Sequence, residues 1–135
     1  MSVKIKGKFV GDLRCTLEHA PSSNSINTDA PIDNQGKGET FSPTDLMAAA
    51  LGSCMLTIIA IRAKTKKIEI KRPTFFIEKH MNAAPRKISL IQVTIELNKE
   101  IAEIDREYLE QEARKCPVAL SLNKDLTQEV TFKYT

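Results

Sequence analysis

Three cysteines, Cys15, Cys54 and Cys116, are the side chains of this 135-residue sequence best equipped for chemistry. Their odd number and wide spacing, in a chain long enough to bury a core without covalent staples, argue against a secreted disulfide scaffold. Cys15 alternates in step with Leu13 and Leu17 and shares their face, which is where a small buried hydrophobe belongs. Cys54 lies on a stripe with Met47, Ala50, Leu51, Ile58 and Ile61. Apolar surroundings raise a thiol pKa and make it inert, so Cys54 alone reads as a core residue. Gly52-Ser53 just before it leaves room for a backbone or ligand to approach. Cys116 precedes Pro117, a residue suited to the first position of a helix. That places Cys116 at an N-cap, where free N–H groups favour a thiolate, against the plainer reading of a small residue at a helix junction. Cys54 and Cys116 stand 62 residues apart, and spacing leaves open whether they meet. If they do, the pair is a dithiol able to reduce a peroxide and close a disulfide.

Other chemistries find little support. His19 and His80 are the only histidines, and no Cys-x-x-Cys or His-x-x-x-His spacing exists, so no metal site is expected. Gly36-Lys37-Gly38 lacks the spacing of a phosphate-binding loop, and Gly-x-Ser-x-Gly is absent. Six of the 20 cations fall between Arg62 and Arg72, but no interleaved aromatics accompany them. With a net charge of only +3, nucleic acid is not an expected partner. The first residues carry charge without an apolar run, so a signal peptide is not expected. The longest uncharged apolar stretch, residues 46–61, is shorter than the ~20 residues of a membrane span and reads as a buried core helix. A soluble protein of the cytoplasm, kept reduced and without a membrane partner, is the expectation.

The elements that must position these residues follow from patterning. Residues 3–19 read as a β-hairpin turning at Gly11-Asp12, and residues 20–41 as a long polar loop with a short strand near 26–29. Ser42, Pro43 and Asp45 then form a helix start in which Asp45 completes a capping box, and the helix runs to about Lys64. Its apolar residues cover nearly every face, so it must be surrounded by protein. A homodimer that sandwiches it would supply the cover. Residues 68–80 and 87–98 read as strands joined by a turn at Ala84-Pro85-Arg86. Asp105 is expected to cap a helix over 106–115, Pro117 to open a short helix to Leu122, and residues 127–134 to form the last strand. This order predicts one α+β domain over residues 1–135, with mostly antiparallel sheet.

Two segments together carry a resemblance. Phe41-Ser-Pro-Thr-Asp-Leu-Met-Ala-Ala-Ala-Leu-Gly-Ser-Cys54 resembles the central-helix signature of the OsmC/Ohr family, the osmotically inducible and organic hydroperoxide resistance proteins. Cys116-Pro-Val-Ala-Leu-Ser-Leu resembles its second signature, and Thr28-Asp-Ala-Pro-Ile-Asp-Asn-Gln-Gly-Lys-Gly resembles the loop of many members. The resemblance implies an intertwined homodimer with antiparallel sheets around a long buried central helix. It further implies thiol-dependent reduction of organic hydroperoxides, without metal, haem or flavin. Carried over, Cys54 is the peroxidatic nucleophile and Cys116 resolves its sulfenic acid as a disulfide, which an external thiol or dithiol reduces. Dedicated peroxidases of the family carry a Glu ten residues before that Cys, orienting an Arg. Here the position is Thr44, with Asp45 one residue later as candidate substitute, and Arg14 on the hairpin is the candidate arginine. The sequence is thus closer to the OsmC-like branch. The alternative is a non-catalytic protein that binds a small hydrophobic ligand at the dimer interface.

Overall fold

The structure, a computed structural model, describes residues 1–135. Packing divides the chain into two compact units, Met1–Leu46 and Met47–Thr135.

The first unit is a three-stranded antiparallel sheet in the order β1 (Ile5–Gly11), β2 (Arg14–His19), β3 (Asn24–Asp29). The hairpin turns on Asp12 and Leu13, both in the left-handed region at φ 54° and 58°. Two positive φ values give a turn whose twist matches that of the flanking strands, at the cost of holding a leucine where glycine or asparagine is favoured. The polar stretch after residue 19 is less of a loop than its composition suggests. Ser22 and Ser23 fold back onto the His19 carbonyl, and β3 starts at Asn24. Residues 24–27 are exposed while Thr28 and Asp29 are buried, so β3 lacks the apolar alternation that marks a strand. A 3₁₀ turn at Ile32–Asn34 precedes the long helix.

That helix, α1, runs Pro43–Lys66 and passes from the first unit into the second. Ala48, Leu51, Gly52, Met55, Ile59 and Ala63 form its buried stripe at helical spacing. A side chain at Gly52 would come within 2.4 Å of the Phe75 ring, so the glycine lets the sheet approach the helix closely. The opposite flank stays open, with Met47 and Ile61 exposed, so within one chain the expected all-round burial holds for one side only. With 24 residues and a mean hydropathy of 1.9 over its most apolar window, α1 is long and apolar enough to cross a membrane. Its buried stripe is nevertheless part of the core of the second unit.

The core strand of that unit is β5 (Arg86–Leu97), flanked by β4 (Thr74–Ala83) and β6 (Thr127–Tyr134). Ile91, Val93, Ile95 and Leu97 of β5 are fully buried, as their alternation requires. The expected early start of β4 is corrected. Lys67 and Arg72 have positive φ and Pro73 has no N–H to donate, so Ile68 and Ile70 lie outside the strand. β6 runs parallel to β5, which modifies the expectation of antiparallel pairing. The crossover is made by α2 (Glu103–Ala113) and α3 (Pro117–Ser121), the kind of long connection parallel strands require. α2 starts earlier than expected, with Ala102 at the N-cap, and Asp105 sits in the first turn, where a negative charge also suits the helix dipole.

Candidate thiol site

Cys116 marks the junction of two helices. Its N–H closes the end of α2 onto the Ala113 carbonyl at 3.2 Å, and its extended backbone (φ −62°, ψ 147°) starts α3 with Pro117 at the first helical position. As N-cap, its Sγ accepts the Ala119 N–H at 3.3 Å. The residue has 0% exposure and belongs to the same buried cluster as Leu109, Ala113 and Leu126.

Cys54 approaches from α1. It is half-buried and packs against the core cluster that holds Cys116, close enough for the two thiols to influence one another electrostatically. Both cysteines are free thiols. Burial pushes the Cys116 thiol pKa up, and contact with Cys54 adds to that, while the Ala119 and Val118 N–H groups pull the other way. The N-cap position therefore does not make Cys116 a low-pKa thiol, because desolvation outweighs the helix N–H groups. The pair divides into a partly accessible sulfur and an enclosed one. Such a dithiol can pass two electrons to an oxidant and close on itself.

The other candidates lie in the first unit. Arg14, the first residue of β2, stands opposite Asp29 in the strand register. Its Nε donates to Asp29 Oδ1 at 2.6 Å and its Nη2 to Oδ2 at 2.9 Å, a bidentate fork, while Nη2 also reaches Glu39 Oε1 at 3.2 Å. Asp29 is only 1% exposed and accepts the Glu39 N–H as well. The Arg14 guanidinium holds the Asp29 carboxyl below the usual carboxylate range. Arg14 is thus a fixed cation with a built-in counter-charge. Sequence reasoning missed Asp29, whose only signal was its place in a strand pairing with β2.

Asp45 does what its capping box predicts. Its Oδ2 accepts the Ser42 N–H at 2.9 Å, and its own N–H donates to Ser42 Oγ at 3.1 Å. Thr44 Oγ1 lies 3.2 Å from the same Ser42 hydroxyl. Cys15 is half-buried between Phe9 and Thr28 in the strand register. A groove of about 520 Å³ in this unit is lined by Arg14, Ile26, Asn27, Glu39, Phe41 and Leu46 among others. No three His, Cys, Asp or Glu side chains converge as metal ligands.

Comparison with known proteins places the chain in a family and a fold. The family model described as OsmC-like protein matches residues 36–131. A crystal structure of a putative osmotic stress induced and detoxification response protein from Psychrobacter arcticus is 45% identical, with 95% of this chain and 93% of that chain covered and a TM-score of 0.90. The organic hydroperoxide resistance protein OsmC of Legionella pneumophila is 18% identical over 98% of this chain and 97% of that one, with a TM-score of 0.76. The organic hydroperoxide resistance protein OhrB of Bacillus subtilis is 17% identical over 98% of each chain, with a TM-score of 0.71. At these lower identities the likeness is one of fold. No curated protein matches the sequence.

Proposed function

The chain belongs to the OsmC-like family, and from that premise we propose that it reduces organic hydroperoxides through Cys54 and Cys116 in oxidative-stress defence. The observation that carries this reading is that two free thiols 62 residues apart in sequence meet at one core cluster, close enough to interact electrostatically. The likeness to one protein of stress and detoxification response and to two of organic hydroperoxide resistance supports it.

In this account the Cys54 thiolate attacks one oxygen of the O–O bond. The bond breaks, the alcohol leaves with the electron pair and a proton, and Cys54 becomes a sulfenic acid. The Cys116 thiolate then attacks the Cys54 sulfur, water leaves and a disulfide closes. An external thiol or dithiol restores the pair, and the protein needs no bound cofactor. Arg14 is the candidate for steering the peroxide, with Asp29 holding it, and Asp45 is assigned to the helix cap. A cytoplasmic home fits a protein whose thiols must be kept reduced. A homodimer would cover the open flank of α1 at Met47 and Ile61, and sedimentation of the purified protein tests for it.

Turnover of cumene hydroperoxide with a dithiol reductant is the direct test. Wild-type protein consumes peroxide catalytically, and Cys54→Ser falls to the uncatalysed rate. Equal turnover by Cys54→Ser refutes the assignment. A second reading, binding of a small hydrophobic ligand without catalysis, draws on Thr44 standing where the dedicated peroxidases carry Glu. It predicts a co-purifying ligand in native mass spectra and no turnover.

A further inference from the structure

We infer that Gln128 is a positioning residue for the thiol pair: its side-chain amide holds α3 in place and so sets Cys116 toward Cys54. This inference rests on the reading of Cys54 and Cys116 as one redox pair, and it names a residue outside both signature segments on which the pair depends.

Gln128 alternates in step with Val130, Phe132 and Tyr134, the half-buried side of β6 that packs against the core. It pairs in register with Ile91, which is fully buried. An amide on such a face gives up hydration and has to recover its hydrogen bonds within the protein. Its Nε2 donates to the Ala119 carbonyl of α3 at 3.0 Å. Methionine would fill similar space, so what the amide adds is a directed bond to α3.

The short helix needs such an anchor. It is five residues long, and none of them is fully buried. A helix of little more than one turn has too few internal bonds to hold its own shape. Ala119 is bonded at both ends, its N–H donating to Cys116 Sγ at 3.3 Å and its carbonyl accepting from Gln128. A chain of bonds therefore runs from β6 through Ala119 to the sulfur. On the other side, the Cys116 N–H is tied to the Ala113 carbonyl at the end of α2. The end of α2 fixes the backbone of Cys116, the first turn of α3 fixes its sulfur, and Gln128 fixes α3.

A disulfide tolerates little error, since the sulfurs have to meet at about 2.05 Å with a defined torsion. A thiol whose direction is fixed thus has a higher effective concentration toward its partner than one that swings. Exchange with glutathione measures that quantity. One oxidised glutathione takes two electrons and two protons from the pair, its own S–S bond breaks, the Cys54–Cys116 bond forms, and two glutathione thiols are released. The position of this equilibrium does not depend on which protein sulfur glutathione reaches first.

The test titrates the full chain with glutathione redox buffers of graded ratio, approached from the reduced and from the oxidised side. Acid quenching, alkylation with N-ethylmaleimide in urea and intact mass give the oxidised fraction, and peptide mapping assigns the bond. Gln128→Met keeps the bulk, removes the donor and should lower the effective concentration roughly three- to tenfold, the worth of one hydrogen bond. Val130→Ala, next along the same face, should lower the thermal midpoint but leave the effective concentration within roughly twofold of wild type. Equal values for Gln128→Met and wild type overturn the inference. Equal falls in Gln128→Met and Val130→Ala overturn it too, because packing then accounts for both. Where circular dichroism shows Gln128→Met unfolded, Gln128→Glu, which keeps the shape and cannot donate once ionised, is judged by the same values. Wild-type protein that forms no Cys54–Cys116 bond in any buffer overturns the inference together with the pairing it rests on. Cumene hydroperoxide is applied to a separate sample, so the peroxidase reading can fail while the comparison of variants stands.

Discussion

The two three-stranded sheets of this chain are stabilised in different ways. In β4–β5–β6 the central strand buries Ile91, Val93, Ile95 and Leu97 in a cluster that also holds Leu51, Met55 and Ile59 of α1. In β1–β2–β3 the only fully buried strand residues are Thr28 and Asp29, while Ile5 and Phe9 are 68% and 65% exposed. The β4–β5–β6 sheet is held by apolar burial. The β1–β2–β3 sheet is held by strand pairing and by the ion pair between Arg14 and Asp29. The Cys54–Cys116 pair sits in the apolar unit, where burial pushes the Cys116 thiol pKa up. Arg14 sits in the exposed one, where a bidentate carboxylate keeps it in place.

Substitutions should break the two sheets unequally. Ile95→Ala, in the packed sheet, removes a fully buried side chain and should cost about 2–5 kcal/mol of unfolding free energy by urea denaturation. Asp29→Asn, in the exposed sheet, should lower the thermal midpoint at neutral pH by a smaller amount, since Arg14 keeps Glu39. Its pH dependence has a definite sign. The Asp29 carboxyl titrates below its unfolded value, so its contribution is complete above that value and is lost as pH falls through the lower, folded one. The gap between wild type and Asp29→Asn, measured by thermal scans, should therefore be constant near neutrality and close in acid below about pH 4. Ser42→Ala, at the start of α1, removes the hydroxyl that accepts the Asp45 N–H and should cost about 1 kcal/mol. A smaller loss for Ile95→Ala than for Asp29→Asn would contradict the division between the two sheets.

Much of the fold was legible because local rules decided it. Ser42, Pro43 and Asp45 announce the start of α1, and the structure shows both hydrogen bonds of the capping box. Cys116-Pro117 announces α3, and the polar–apolar alternation of residues 127–134 announces β6. What escaped was set by partners distant in sequence. The direction of β6 is fixed by its pairing with β5, and nothing in its own residues encodes that. β3 is a strand because β2 lies beside it, although its exposed residues 24–27 are polar. Ile68 and Ile70 look like strand residues, but the backbone at Lys67, Arg72 and Pro73 excludes them. Within the site, each cysteine could be picked out by its local setting, but their meeting depends on α1 and the α2–α3 junction packing into one core. Asp29 was invisible for the same reason, since it matters only through Arg14 across the strand pair.

The central claim is that Cys54 and Cys116 act as one redox unit. Reduced protein treated with one equivalent of cumene hydroperoxide, then digested without reductant and mapped by mass spectrometry, tests it most directly. The account predicts a Cys54–Cys116 disulfide as the main product, with Cys15 still a free thiol. Peroxide treatment that leaves both cysteines reduced, or that joins Cys15 to either of them, would contradict it.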